Sequence, residues 1–243
     1  MTEFRPQRFQ VLPPVVKNLL IINVLLAVFQ FALFRATGIY LPDYLGLHYF
    51  RSDLFHSWQF ITHMFMHGDP IDLNLTVMHL FGNMFALWMF GSILENIWGP
   101  KRFLTFYFVC GLGASLCHMA VLAYQMEPLL KIYPHEILYN DWIDAAGRFH
   151  RGVFNQPTVG ASGAVFGILF AFGYLFPNTL LYFFFLVPIK AKWVVAGYAV
   201  FELYSGIANN PGDEVAHFAH LGGMLFAYIL LKIWNRRKRT QFF

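Results

Sequence analysis

The chain has 243 residues, of which 58% are hydrophobic and only 12% charged. A soluble domain of this size carries about 25% charged residues, so the composition excludes an ordinary soluble domain and points to a membrane protein whose single core is the interior of a helix bundle. The formal net charge of +4 does not point to nucleic acid, because basic residues beside membrane helices set their orientation.

Residues 1–15 are polar, carry Pro6, Pro13 and Pro14, and read as a cytoplasmic segment at the membrane surface. Helix 1 is predicted over about 16–35. No small-residue cleavage site clearly follows it, so it reads as an uncleaved anchor. Residues 36–76 form a long loop, aromatic and histidine-rich, expected to lie in the membrane interface. Its stretch THMFMHGDP sets His63 and His67 four apart, but without the glutamate that a zinc-protease motif requires. No cluster has metal-ligand spacing and no glycine-rich phosphate loop occurs, so neither metal nor cofactor is expected.

Helix 2 is predicted over about 77–97 and is broken by Gly99-Pro100. Helix 3, about 102–124, contains both cysteines, Cys110 and Cys117. Their spacing of roughly 10 Å along a helix is too long for a disulfide. A second loop spans 125–158. Helix 4 is predicted over about 160–176 and closed by Pro177-Asn178; the run 180–189 is too short to cross and reads as an interfacial strand or turn. Helix 5 follows over about 190–208 and helix 6 over about 214–234, and residues 236–243 form a basic cytoplasmic tail. The expected fold is an all-α polytopic membrane protein with six transmembrane helices, one domain over 16–235.

Six spans place both termini on one side. With the termini inside, Arg5, Arg8, Lys17, Lys101, Arg102, Lys190, Lys192, Lys232, Arg236, Arg237, Lys238 and Arg239 fall inside, 12 of the 17 basic residues. The excess of inner cations supports that orientation. Helices 2, 4 and 6 then enter from the outside, which sets His79, Ser162 and His220 at similar shallow depth.

The chemistry is concentrated in VGASGAVFGILFAFG, 159–173, where Ser162 stands between Ala161 and Gly163. Gly163, Gly167 and Ala171 form a stripe spaced by four, the kind that lets two membrane helices touch. The partner stripe is in AHFAHLGGMLFA, where Ala216, His220, Gly223 and Ala227 share a face. A hydroxyl at the start of one helix and an imidazole on a helix built to meet it suggest nucleophilic catalysis, with His220 as base. Against this stands the plainer reading of a packing serine and an interhelical histidine. His217 competes with His220, which is preferred for its place on the small stripe. His79 and Asn83, four apart on helix 2, can donate hydrogen bonds to an oxyanion or serve as polar glue. Glu95 is expected to pair with Lys101 or Arg102; Glu202, mid-helix 5, has no obvious partner.

These motifs together resemble the rhomboid family of intramembrane serine proteases, over roughly 55–235. WQFITHMFMH resembles the family's first-loop motif, HLFGN its His-x-x-x-Asn, GASGAVFG its G-x-S-G, and AHLGG its helix 6 motif. The resemblance implies a rhomboid-like six-helix bundle with a wet cavity open to the outside. It implies a Ser162–His220 dyad without a third acid, and an oxyanion hole from His79, Asn83 and the Ser162 amide. It also implies transmembrane protein substrates, cut where the helix unwinds. Phe166 stands where the family often has Tyr, Gln59 where many members have Arg, and Ala227 where a second glycine is usual. An inactive client-binding relative would lack the serine or the histidine, and a small transporter would want repeats or broken helix pairs. The expected location is a bacterial inner membrane.

Overall fold

The computed structural model describes residues 9–70, 73–133, 141–143, 149–150, 152–183, 186–208 and 216–239. The structure is mostly helical. Helix α1 (Pro14–Thr37) begins with Pro14 at its first position and ends at Gly38, which takes the left-handed conformation at φ 75°. Its first amides are capped from a distance: Glu95 Oε1 accepts from Val15 N at 2.9 Å and Oε2 from Val16 N at 2.8 Å. Glu95 therefore holds the positive end of α1, not the Lys101 or Arg102 partner expected from sequence; the Arg102 guanidinium lies 3.9 Å over the Trp234 ring.

Helix α2 (Leu73–Trp98) contains a π-wound segment at Leu87–Gly91. Helix α3 (Pro100–Met126) starts at the Gly99-Pro100 break and tightens into a 3₁₀ turn at Glu127–Lys131. Helix α4 (Ser162–Leu175), α5 (Ala191–Ala208) and α6 (His217–Arg239) complete the order. Among the described residues four helices are long and apolar enough to cross a membrane: α1, α2, α3 and α6. Helix α4 has 14 residues, about 21 Å of rise against a hydrocarbon core of about 30 Å.

The boundaries differ from expectation mainly at the ends. Helix α2 starts four residues earlier than predicted, and α6 runs on to Arg239, into the stretch expected as a tail. The predicted start of helix 6 at 214, the first eight residues and the last four lie outside the described residues. The run 180–189 is a hairpin: β3 (Leu180–Phe183) pairs antiparallel with β4 (Val187–Lys190), Leu180 opposite Lys190. The second loop holds a short antiparallel pair, β1 (Trp142–Ile143) with β2 (Phe149–His150).

The core lies among α2, α3, α4 and α6, with Phe103, Phe106, Tyr107 and Cys110 of α3 fully buried against Ala164, Ile168 and Ala171 of α4. The outward faces are as apolar as the core; Leu25 of α1 is 62% exposed and Val200 of α5 67%. Such a surface fits lipid rather than water.

The first loop is anchored from within by Gln59, which is fully buried. Its Oε1 accepts from His56 N at 3.1 Å and His48 N at 3.3 Å, and its Nε2 donates to Leu54 O at 2.7 Å. Both ends of the amide are used, so the glutamine ties the loop together where an arginine, with donors alone, would need other partners. Tyr49 and Arg51 clasp the far end of α3 through the Glu127 carboxylate, at 2.9 Å and 2.7 Å. Burial, then the bond to Glu127, pushes the Tyr49 phenol up to about 12.

Candidate active site

The segment before α4 is fixed by the first loop. Leu47 and Thr158 exchange both backbone bonds, at 2.9 and 2.8 Å, and Gly160 N donates to His63 O at 2.9 Å. The Thr158 hydroxyl lies 2.8 Å from His118 Nε2 on α3. Gly160 adopts φ 130°, a conformation that favours glycine. A Cβ there would also lie 2.8 Å from His79 Nε2. The chain thus turns sharply under the His79 ring and enters α4 at Ser162, the first helical residue, whose amide has no partner within its own helix.

Ser162 is half-buried, and its Oγ stands 2.8 Å from His220 Nε2 on α6. The two residues are 58 apart in sequence. Phe166, one turn further along α4, stacks on the His220 ring with centroids 4.2 Å apart and planes 8° from parallel. The ring alone, without the hydroxyl of the family's usual Tyr, holds this face of the imidazole.

The helices carrying the pair meet through absent side chains. A Cβ at Gly223 would overlap the Gly163 carbonyl. One at Gly167 would lie 2.7 Å from Cys110 Cβ and 3.0 Å from the Gly223 carbonyl oxygen. Ala227 is fully buried in the same core. The stripe serves α3 as well as α6: a Cβ at Gly163 would collide with Ala114, and one at Gly222 would sit 2.6 Å from Cys117 Cβ. Sequence spacing pointed to a two-helix seam; the structure makes it three.

His79 is half-buried on α2, its ring 5.4 Å from that of His67. Asn83 is buried one turn below, and its Nδ2 donates to the His79 carbonyl at 3.0 Å. Burial pulls the first-loop imidazoles down, His63 to about 4 and His67 to about 3, so both are neutral near pH 7.

Glu202 is the residue that sequence reasoning left without a partner, and the structure gives it two. Its Oε2 lies 2.7 Å from His217 Nδ1 and 2.9 Å from His220 Nδ1. The first contact is aligned as a hydrogen bond; the second is at ion-pair distance but off the line of a good bond. All three side chains are buried. Their donor atoms lie within 4.8 Å of one another, a grouping that no sequence spacing revealed because it joins α5 to α6. The His217 contact, at 2.7 Å, is of hydrogen-bond length and alignment.

Residues 55–237 match the family model of the Rhomboid domain. The chain belongs to the rhomboid family. Among curated relatives it is 28% identical, over 82% of its own length and 51% of the relative's, to "RHOMBOID-like protein 12, mitochondrial" of Arabidopsis thaliana. It is also 28% identical to "Rhomboid protein 1, mitochondrial" of Saccharomyces cerevisiae, over 75% of this chain and 50% of that one. To "Rhomboid protease GluP" of Bacillus subtilis it is 26% identical, over 70% of this chain and 25% of that one. The chain therefore spans about half the length of the first two relatives and a quarter of the third. Two of the three are mitochondrial, so the expected bacterial inner membrane has no support from them. What stands is an integral membrane rhomboid with apolar helices.

Proposed function

We propose that this rhomboid is an intramembrane serine endopeptidase that cleaves transmembrane segments of other membrane proteins. The observation that carries this reading is the 2.8 Å contact between Ser162 Oγ and His220 Nε2. His220 takes the serine proton at Nε2 while Oγ bonds to the substrate carbonyl carbon. The C–N bond then breaks, and the leaving amine takes that proton from His220. Water repeats the sequence on the acyl-serine, releasing the acid and restoring the hydroxyl. The Ser162 amide, His79 and Asn83 receive the developing oxyanion. Gly163, Gly167, Gly223 and Ala227 keep the two helices close enough for the proton to pass.

In this reading α4 and α5 are membrane spans alongside α1, α2, α3 and α6, giving six helices in the domain 16–235. Both termini are cytoplasmic, and the reaction takes place near the outer face. The shortness of α4 supports a reaction below the membrane surface, since its 14 residues are too few to cross the whole hydrocarbon core. No cofactor and no metal takes part, and the partners are lipid and transmembrane substrates.

Incubation of the purified protein with a model transmembrane substrate tests the reading. Cleavage should be lost to one common floor in Ser162→Ala, His220→Ala and the double variant, because the two residues act as a unit. A fluorophosphonate probe should label the wild type and not Ser162→Ala. Cleavage by Ser162→Ala would end the proposal.

A further inference from the structure

We infer that Glu202 is a positioning residue for His220, the third member of a Ser162–His220–Glu202 relay assembled across three helices. The inference rests on the reading of Ser162 as nucleophile and His220 as base. It begins from an unfavourable placement: a carboxylate 4% exposed on a helix whose other side chains are largely apolar and outward-facing. An acid buried at membrane depth is costly unless partnered. Here one oxygen, Oε2, faces two Nδ1 atoms, of His217 at 2.7 Å and of His220 at 2.9 Å.

A carboxylate oxygen can only accept, so a histidine nitrogen facing it is satisfied as N–H. With the proton on Nδ1, the lone pair of His220 lies on Nε2, the atom 2.8 Å from Ser162 Oγ. Glu202 thereby selects the tautomer in which His220 can act as base. When Nε2 takes the serine proton, the imidazolium has a carboxylate beside Nδ1, which remains ionised throughout. Among the described residues, Glu202 is the carboxylate grouped with His220. Besides Glu202, the titratable groups around it among the described residues are imidazoles: His79 of α2, His118 of α3 and His217 of its own helix, with rings 6.5 Å apart for the last. Phe166 closes the ring's other face.

His217 is the holder of the carboxylate rather than a second base. Its aligned bond pins Oε2 at the height of His220, one turn further along α6. The off-line contact to His220 is what a resting site looks like when alignment tightens only as charge develops.

The expected magnitude follows from geometry. An aligned carboxylate in a serine-protease triad is worth about 10⁴ in kcat. One shared with His217 and off-line at rest is worth less, on the order of 10² by the same comparison.

The test uses the full chain in detergent, with a chelator throughout. Glu202→Gln should lower kcat by about 10² with KM unchanged. Glu202→Asp, which keeps the charge, should recover about tenfold of that loss by the same logic. The rate of fluorophosphonate labelling should fall in parallel. A Glu202→Gln enzyme within about threefold of wild-type kcat would overturn the inference. So would a loss carried by KM, or a wild type that the chelator inactivates. Should Glu202→Gln fail to fold, histidine-selective ¹⁵N spectra of the wild type decide. His220, assigned by comparison with His220→Ala and His217→Gln, must carry its proton on Nδ1; a proton on Nε2 overturns the relay. Failure of the underlying reading looks different: the wild type is then inert to substrate and probe alike, while the tautomer is still read.

Discussion

Helices α4 and α5 both pack against α6, and they are held there by opposite means. At α4 the contact is made by backbone. Gly163, Gly167 and Gly223 leave no room for even a Cβ, with Ala114 and Cys110 of α3 pressing from the third side. At α5 the contact is made by side chains: Glu202 reaches His217 and His220, and Phe218 of α6 lies over Gly206, while Val195 of α5 packs instead against Gly173 of α4. The rest of α5 faces outward, Phe201 and Tyr204 at 57% and 71% exposure. The serine is thus placed by close backbone packing, the carboxylate by a hydrogen bond to His217 and a contact with His220.

The largest effect is expected at His79 and Asn83, the proposed oxyanion donors of α2. His79→Ala combined with Asn83→Ala should lower the cleavage rate by about 10²–10³ while the protein still folds. A double variant with wild-type turnover would remove both residues from the site. Next in size is Gly167→Leu, whose side chain must displace Cys110 or the Gly223 carbonyl. Overpacking costs about 1–3 kcal/mol, and a 1 Å displacement of the pair costs about 10² in rate. Cleavage should therefore fall further than the detergent unfolding midpoint does; normal cleavage would show that the three-helix seam does not set the pair's distance.

On the α5 side the effects should be smaller. His217→Ala removes the aligned bond to Glu202 but leaves the carboxylate within reach of His220. It should keep at least about a tenth of the wild-type rate, since one hydrogen-bond partner is lost while the carboxylate stays. A dead His217→Ala beside an active His220→Ala would exchange their roles. Gly197 on α5 is the mirror of Gly167: a Cβ there meets nothing within 4 Å. Gly197→Ala should stabilise by about 0.5–1 kcal/mol, read as a higher unfolding midpoint, with no loss of activity.

The smallest effect belongs to the first loop. Burial holds His63 down to about 4 and His67 to about 3, while in the unfolded chain both titrate near 6.5. Between these values the unfolded state binds more protons. Stability should therefore be complete above about 6.5 and decline as the pH falls towards 4. Thermal unfolding at pH 5 should show a lower midpoint than at pH 7.5; coincident midpoints would place both imidazoles in water.

Much of the molecule was legible in one dimension because its signals are local. Apolar runs marked the helices, Gly99-Pro100 and Pro177-Asn178 marked their ends, and spacings of four and of three aligned Gly163 with Gly167 and His220 with Gly223. A helix repeats every 3.6 residues whatever it packs against, so its faces are written in the sequence. Contacts between helices are not. Glu95 was assigned a cation six or seven residues away, yet it caps α1 some 80 residues distant. Gln59 stood as a departure from a motif, yet its amide ties a loop together through both ends. The length of α4 was overestimated because Gly160 bends before the helix begins. Glu202 stood alone in its segment, and only the crossing of α5 over the start of α6 gave it two imidazoles. Sequence determined which faces were small and which residues were chemically able. Tertiary structure decided which of them meet, because a pairing of groups far apart in the chain depends on where whole helices cross, and no periodicity records that.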